Sequence, residues 1–260
     1  MPSHGDGRGV LYIVGSGPGS PEQMTGRALQ AIRDAEYVLG NDSYLTPLSA
    51  LLEGKNVIRS SMGKEVERAR EAVALAQDHV VAMVSGGDPG VYGMASIVLE
   101  VAERSGSVAR IEVIPGVTAA TAAASRLGSP LSGDFVVVSL SDLLTPIEVI
   151  EERLEHAFAM GVPVVLYNPR SRGRPYNFAR AMEIAASHRD PSTPLGLVKN
   201  AYRDGEEIVI TTLGQVATIE KRVDMHSSVI VGGRESRIWK EGSHARGIIT
   251  PRGYHRKYLY

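Results

Sequence analysis

The sequence predicts an α/β protein of two α/β/α lobes, with a mostly parallel N-terminal sheet, a mixed C-terminal sheet and a ligand cleft between the lobes. Three observations carry that prediction. Short aliphatic runs alternate with segments of helical periodicity along most of the chain. Glycine-bearing turns follow three of those runs, at VGSGPG, SGGDPG and IPGVTAA. Leu127–Gly133 (LGSPLSG), with two glycines, a proline and two serines, then divides the pattern into lobes over 10–127 and 134–233, followed by a tail over 234–260.

Taken in order, Val10–Val14 (VLYIV) reads as a buried first strand. Ser20-Pro21-Glu22-Gln23 opens a helix: Ser20 caps it, proline suits its first turn, Gln23 completes a capping box, and Ala28, Leu29 and Ile32 continue the apolar face. Tyr37–Leu39, Val57-Ile58, Val80–Val84 and Ile111–Ile114 are further strands, with helices at Lys64–Gln77, Val91–Arg104 and Thr118–Arg126 between them. Past the boundary come strands at Phe135–Ser139, Val162–Tyr167 and Leu195–Lys199 and helices at Ile147–Met160 and Tyr176–Ser187. Glu207–Thr212 and Ser228–Val231 follow with little room for helices, which favours antiparallel pairing and a mixed sheet.

Composition narrows the chemistry. The 260 residues are 43% hydrophobic and 22% charged, a globular balance, and the net charge of -1 exerts no global pull toward nucleic acid or an anionic membrane. With no cysteine there is no disulfide, thiolate zinc site, cysteine-held iron–sulfur cluster or cysteine nucleophile. No apolar run approaches the ~18 residues of a membrane span, and Met1–Gly9 is not built like a signal peptide, so a cytoplasmic location is expected. Residues 234–260 hold seven Lys/Arg against two Asp/Glu, net +5, leaving 21 against 27 for residues 1–233. Trp239, Tyr254, Tyr258 and Tyr260 lie among those cations. Such a tail either binds nucleic acid or packs on its own domain or a partner subunit, and the neutral whole favours packing.

The turns carry the candidate chemistry. Gly15-Ser16-Gly17-Pro18-Gly19 brings backbone close to a ligand or forms a tight turn, but has serine where a dinucleotide fingerprint needs its third glycine. Gly63-Lys64 lacks the rest of a Walker pattern. Ser85-Gly86-Gly87-Asp88-Pro89-Gly90 follows a strand at its carboxyl end, where open α/β sheets bind ligands; Asp88 there holds a hydroxyl or amine, or caps a helix beginning near Tyr92. Pro115-Gly116-Val117-Thr118 repeats the arrangement, and the small side chains after it leave space for a ligand or serve tight packing. Arg170, Arg172 and Arg174 share one loop, suited to a polyanionic substrate or to solvation. No HExxH, paired-histidine or GxSxG pattern supports a protein-bound metal or a serine nucleophile.

Together VGSGPG, SGGDPGVYGMA, IPGVTAA and LYNPRS resemble the motif set of the tetrapyrrole methylases, the class III S-adenosylmethionine-dependent methyltransferases. GDFVVVSLSDLLTPIEVIEERL, YNPRSRGR and TPRGYHRKY are similar to the members that methylate C-17 of precorrin-3B or cobalt-factor III, with ring contraction, in cobalamin biosynthesis. The resemblance implies a homodimer that binds S-adenosylmethionine, releases S-adenosylhomocysteine, takes a corrin-precursor tetrapyrrole, and needs neither nucleic acid nor membrane. It implies cofactor contacts at Pro18, Gly86, Gly87, Asp88, Val91, Thr118, Ala119, Asn168 and Ala201, and substrate contacts at Gly17, Arg170, Arg172 and Arg174. Asn168 stands where relatives often carry methionine, Ala201 where several carry glycine, and Gly133-Asp134-Phe135-Val136 lacks the expected histidine and cysteine. Contraction needs proton movement or a polar contact to the ring; Asp142 and Asp42 are the candidates, with turn-capping the alternative for each. A sister methylase acting at another ring position, or a non-catalytic tetrapyrrole carrier, are the competing functions.

Overall fold

The computed structural model describes residues Gly9–Leu259, so the readings of residues 1–8 and of Tyr260 lie outside the described residues. The chain divides into two compact units, one ending at Ala119 and one beginning at Ala120.

In the first unit, β1 (Val10–Gly15), α1 (Gly26–Asp34), β2 (Tyr37–Asn41), α2 (Asp42–Leu45), β3 (Asn56–Ser60), α3 (Glu65–Leu75), β4 (Val80–Ser85), α4 (Ala95–Ser105) and β5 (Arg110–Ile114) follow one another. The sheet has the order β3-β2-β4-β1-β5, and every pairing is parallel. Period-two alternation sends Tyr12 and Val14 into a core with Ala28, Ala31 and Ile32 of α1. Leu11 and Ile13 enter the opposite core, against Ala69, Ala72 and Val73 of α3 and Val98 and Ala102 of α4. Burial on both faces explains the continuous aliphatic runs. Because all five strands run the same way, Gly15, Asn41, Ser60, Ser85 and Ile114 end at one edge.

Two predicted helix starts differ from the structure. Ser20 accepts the Glu22 N–H, yet it supports only a 3-10 turn over Pro21–Gln23, because Met24 is extended (φ -82°, ψ 150°). The α-helix begins after Thr25, whose hydroxyl accepts the Ala28 N–H at 3.1 Å. The helix expected from Val91 starts at Ala95, since Tyr92 has a left-handed backbone (φ 53°) that cannot continue a right-handed turn.

The second unit contains most of α5 (Ala119–Leu127), then β6 (Gly128–Ser129), β7 (Val136–Ser139), α6 (Ile147–Ala159), β8 (Val164–Tyr167), α7 (Asn177–His188), β9 (Pro194–Lys199), β10 (Glu207–Thr212), β11 (Ser227–Val231), β12 (Arg237–Glu241) and β13 (His244–Ile249). Its main sheet has the order β10-β9-β11-β8-β7. Only β7 and β8 pair in parallel, so the sheet is mixed as expected. Val164, Leu166, Leu195, Leu197 and Val229 pack with Leu154 and Phe158 of α6 and Phe178 and Ala181 of α7. On the other face Gly196 leaves room for α5: a Cβ there would lie 2.3 Å from Leu127 Cδ1.

Arg189, just past α7, is buried over the Phe158 ring and donates to the carbonyls of Phe158, Val162 and Gly232. Burial, and secondarily the charge of Arg234, lower its pKa. The basic tail forms an antiparallel β12–β13 hairpin, and β13 pairs in parallel with β6, so the predicted boundary segment holds the tail by main-chain bonds. Among the described residues no helix is long and apolar enough to cross a membrane.

Candidate functional site

At the carboxyl edge of the first sheet, three predicted loops are locked to one another through glycine. The Gly17 N–H donates to the Gly87 carbonyl at 3.1 Å, and the Gly87 N–H donates back at 2.9 Å. Both residues have positive φ, 67° and 64°. A Cβ on Gly116 would sit 2.2 Å from the Gly87 carbonyl oxygen, and one on Gly15 2.6 Å from the Gly116 nitrogen. These glycines serve backbone-to-backbone packing between loops, a purpose that no single loop motif reveals.

Asp88 joins the same lock. Its Oδ1 accepts the Gly90 N–H at 2.8 Å and its Oδ2 accepts the Gly116 N–H at 3.1 Å. It does not cap the following helix, where the Met94 N–H donates instead to Ser85 Oγ at 3.2 Å. Val91 and Tyr92 project outward beyond the turn, while Thr118 and Ala119 stand beside Gly87 with their nearest atoms 3.8 Å from where its Cβ would be. Pro18 is buried at the base of this edge.

Asp42 is exposed on the same edge, 2.6 Å from Arg59 Nη1. The cap of α2 is Asn41, whose Oδ1 accepts the Ser43 N–H at 2.9 Å, so the turn-capping alternative for Asp42 falls to its neighbour. The sequence reading missed two residues here. The Tyr44 ring fills the space over Gly86, where a Cβ would meet it at 2.5 Å. Arg68, buried on α3, donates to Ser60 Oγ and lies 3.4 Å from Met94 Sδ, bracing the end of β3 against the start of α4. Nothing in its charged helical surroundings marks it, beyond sharing the spacing of Ala69 and Ala72.

In the second unit the register brings four strand ends together, since Ser139 pairs with Tyr167 and Lys199 with Ser227. Asp142, Asn168, Arg170, Arg172, Arg174 and Ala201 therefore share one edge of that sheet. Asn168 has φ 51°, a conformation asparagine tolerates, and its Nδ2 donates to Ser139 Oγ at 3.0 Å. Ala201 sits between Asn200 (φ 50°) and Tyr202 (φ 59°). Tyr202 is held by Ser125 Oγ at 2.7 Å and by the Arg126 guanidinium over its ring. Arg126 also forks onto Glu206, and those hydrogen bonds hold the Glu206 carboxyl below its ordinary pKa. Tyr167 Oη, which belongs to LYNPRS but was given no role from sequence, accepts the Ala120 N–H at 2.5 Å at the start of α5.

The three arginines are not equivalent. Arg170 Nη1 donates to the Glu220 carbonyl at 3.0 Å. Arg174 turns inward, 3.2 Å from Ser171 Oγ and 3.8 Å from Asp142 Oδ1. Arg172 is exposed. Among the described residues no group of three or more His, Asp or Glu side chains is placed to hold a metal ion. A groove of about 660 Å³ between α3 and α4, lined by Val66, Val73, Ile97 and Val101, contains none of the predicted site residues.

Comparison with known proteins gives a consistent result. Residues 10–217 match the family described as Tetrapyrrole (Corrin/Porphyrin) Methylases. A Salmonella typhimurium protein named "Probable cobalt-factor III C(17)-methyltransferase" is 44% identical over 94% of this chain and 99% of its own. The crystal structure of the methyltransferase CobJ superposes with a TM-score of 0.85 at 31% identity, covering 94% of this chain and 100% of that one. A uroporphyrin-III C-methyltransferase from Thermus thermophilus, solved with S-adenosylhomocysteine, gives 0.66 at 28% identity, over 86% of this chain and 92% of its own. The "Cobalamin biosynthesis protein CbiHC" of Archaeoglobus fulgidus is 46% identical over 96% of this chain, which spans 54% of that longer protein.

Proposed function

The chain belongs to the tetrapyrrole methylase family, and on that premise we propose that it methylates C-17 of a corrin precursor, cobalt-factor III or precorrin-3B, with ring contraction in cobalamin biosynthesis. The observation that carries the reading is the lock of Gly17, Gly87, Asp88 and Gly116 at the carboxyl edge of the first sheet. It supports a rigid cradle for S-adenosylmethionine made of Pro18, Gly86, Gly87, Asp88, Val91, Thr118 and Ala119. Asn168 and Ala201 are further proposed cofactor contacts; the left-handed backbones of Asn168 itself, and of Asn200 and Tyr202 on either side of Ala201, make these turns tight.

The cofactor supplies an activated sulfonium methyl that passes to a ring carbon and leaves S-adenosylhomocysteine. The protein's task is alignment and exclusion of water. Gly17 is proposed to border the macrocycle, Arg172 to meet one of its carboxylates, and Asp142 to make the polar contact that ring contraction needs. Asp42, exposed and paired with Arg59, is the weaker candidate for that role. Arg170 and Arg174, assigned to the substrate from sequence, have partners within their own unit. Any cobalt belongs to the substrate. The chain is proposed to act as a homodimer, as the family resemblance implies, and in the cytoplasm.

Mass spectrometry after anaerobic incubation with methyl-deuterated S-adenosylmethionine, in parallel with cobalt-factor III and precorrin-3B, tests the proposal. One labelled methyl at C-17 in either reaction supports it and identifies the substrate. No transfer to either, with the cofactor still bound, redirects the assignment to another ring position.

A further inference from the structure

We infer that Arg174 is a positioning residue that aims the Asp142 carboxylate for ring contraction. The inference rests on the proposed role of Asp142.

Three loops of one sheet edge meet at the Arg174 guanidinium. Ser171 follows β8, Met225 precedes β11 and Asp142 follows β7; Arg174 reaches Ser171 Oγ at 3.2 Å, Met225 Sδ at 3.1 Å and Asp142 Oδ1 at 3.8 Å. Its side chain is only 13% exposed, which places the cation beneath the surface that a macrocycle would touch.

The donors of Arg174 are poorly satisfied by these neighbours. A thioether is a weak acceptor, and Nη1 is buried without a hydrogen-bond partner. Among the described residues Asp142 is the anion within ion-pair distance of the guanidinium, 3.8 Å from Nε, whose one hydrogen already goes to Ser171 Oγ, so the attraction is coulombic and not a hydrogen bond. The cation therefore draws one oxygen of Asp142 inward, while the carboxylate stays 36% exposed and can present the other outward.

The Asp142 loop has little else to fix it. Leu143 and Leu144, immediately after it, are 80% and 93% exposed and bury almost nothing. The loop is anchored upstream, where Asn177 Nδ2 donates to the Leu140 carbonyl at 2.8 Å. Without Arg174, Asp142 would be held by its backbone alone.

A double-mutant cycle on the full chain, with S-adenosylmethionine and whichever of cobalt-factor III and precorrin-3B the wild type methylates, tests this. The readout is ring contraction per methyl transferred, with KM for the tetrapyrrole recorded. Asp142→Asn is expected to lower the contraction ratio about a hundredfold, and Arg174→Gln roughly tenfold to a hundredfold through misplacement. The double variant should be no slower than Asp142→Asn alone, and KM should change less than about twofold in Arg174→Gln, because a residue acting through another adds nothing once its target is gone. Multiplying effects with a slow Asp142→Asn, an unchanged ratio in Arg174→Gln, or a raised KM as its main effect would each overturn the positioning role and leave the Asp142 assignment standing. An unchanged ratio in Asp142→Asn would overturn that assignment and the positioning role with it. If Arg174→Gln does not fold, Arg174→Lys, which keeps the charge but loses the planar fork, carries the same cycle.

Discussion

Asp88 Oδ2 accepts the backbone N–H of Gly116 at 3.1 Å, across 28 positions of sequence, while its Oδ1 accepts the N–H of Gly90 at 2.8 Å. One carboxylate thus fixes two loops that follow different strands. Asp88→Ala removes both acceptors and leaves the Gly116 N–H without this partner in a half-buried site. A loss of about 2 kcal/mol is expected, seen as a melting temperature lower by roughly 4–8 °C. Affinity for S-adenosylhomocysteine should fall about tenfold or more by calorimetry, because the cradle is no longer preorganised. Asp88→Asn, which keeps one acceptor oxygen, should lie between. Wild-type affinity in Asp88→Ala would mean that the loop lock does not shape the cofactor site.

Two glycine positions, one in the lock and one in the second unit, separate packing from flexibility. Gly116→Ala would place a methyl 2.2 Å from the Gly87 carbonyl oxygen, so the loops must part. Destabilisation of about 3 kcal/mol or failure to fold is expected. At Gly133 an added Cβ meets nothing within 4 Å and φ is not positive, so Gly133→Ala should fall within about 0.5 kcal/mol of wild type. Paired urea melts measure both, and equal effects would contradict the backbone-contact argument.

The contrast between these glycines marks what was legible in the sequence. Periodicity placed the strands of the first sheet to within a few residues, because burial on both faces makes the central β1 and β4 uninterrupted aliphatic runs. The three glycine turns were legible as well, at strand ends where ligands bind. Their mutual contact was not, since Gly17, Gly87 and Gly116 meet only once β4 and β5 flank β1. The same limit hid Tyr44, Arg68 and Tyr167, whose partners are remote in sequence. It also hid the division of labour among Arg170, Arg172 and Arg174, which alternate in sequence but meet different surroundings. Helix starts were misplaced at Ser20 and Val91 because a good cap or an apolar run says nothing about an extended Met24 or a left-handed Tyr92.

Arg126 and Glu206 give the second unit a pH dependence of definite sign. Hydrogen bonds from Arg126 lower the Glu206 pKa from its ordinary 4.5. The pair's contribution is therefore complete above that value and is lost as pH falls through the lower folded-state pKa. Glu206→Gln should cost about 1 kcal/mol at pH 7, allowing for a partly solvated pair. The gap between wild type and variant should stay constant from pH 6 to 8 and shrink below about pH 4.5. Chemical denaturation at pH 7 and at pH 3.5 measures this, and a gap that widens in acid would reverse the sign.

Arg189 supplies the last test, of the scaffold rather than the site. Its guanidinium serves three carbonyls, of Phe158, Val162 and Gly232, which lie at and beyond the last turn of α6 and just past β11. The last carbonyls of a helix have no partner within it, and a buried end without one is costly. Arg189→Met keeps much of the aliphatic packing against Phe158 but removes every donor. A loss of about 3 kcal/mol follows from stranding buried acceptors, offset in part by no longer burying a cation. Arg189→Lys, with a compact ammonium in place of the fork, should recover less than half of it because it cannot span three carbonyls at once. Since Arg189 touches no proposed cofactor residue, affinity for S-adenosylhomocysteine measured well below the melting temperature should remain within about twofold of wild type. A stable Arg189→Met would show that water satisfies those carbonyls once the side chain is gone.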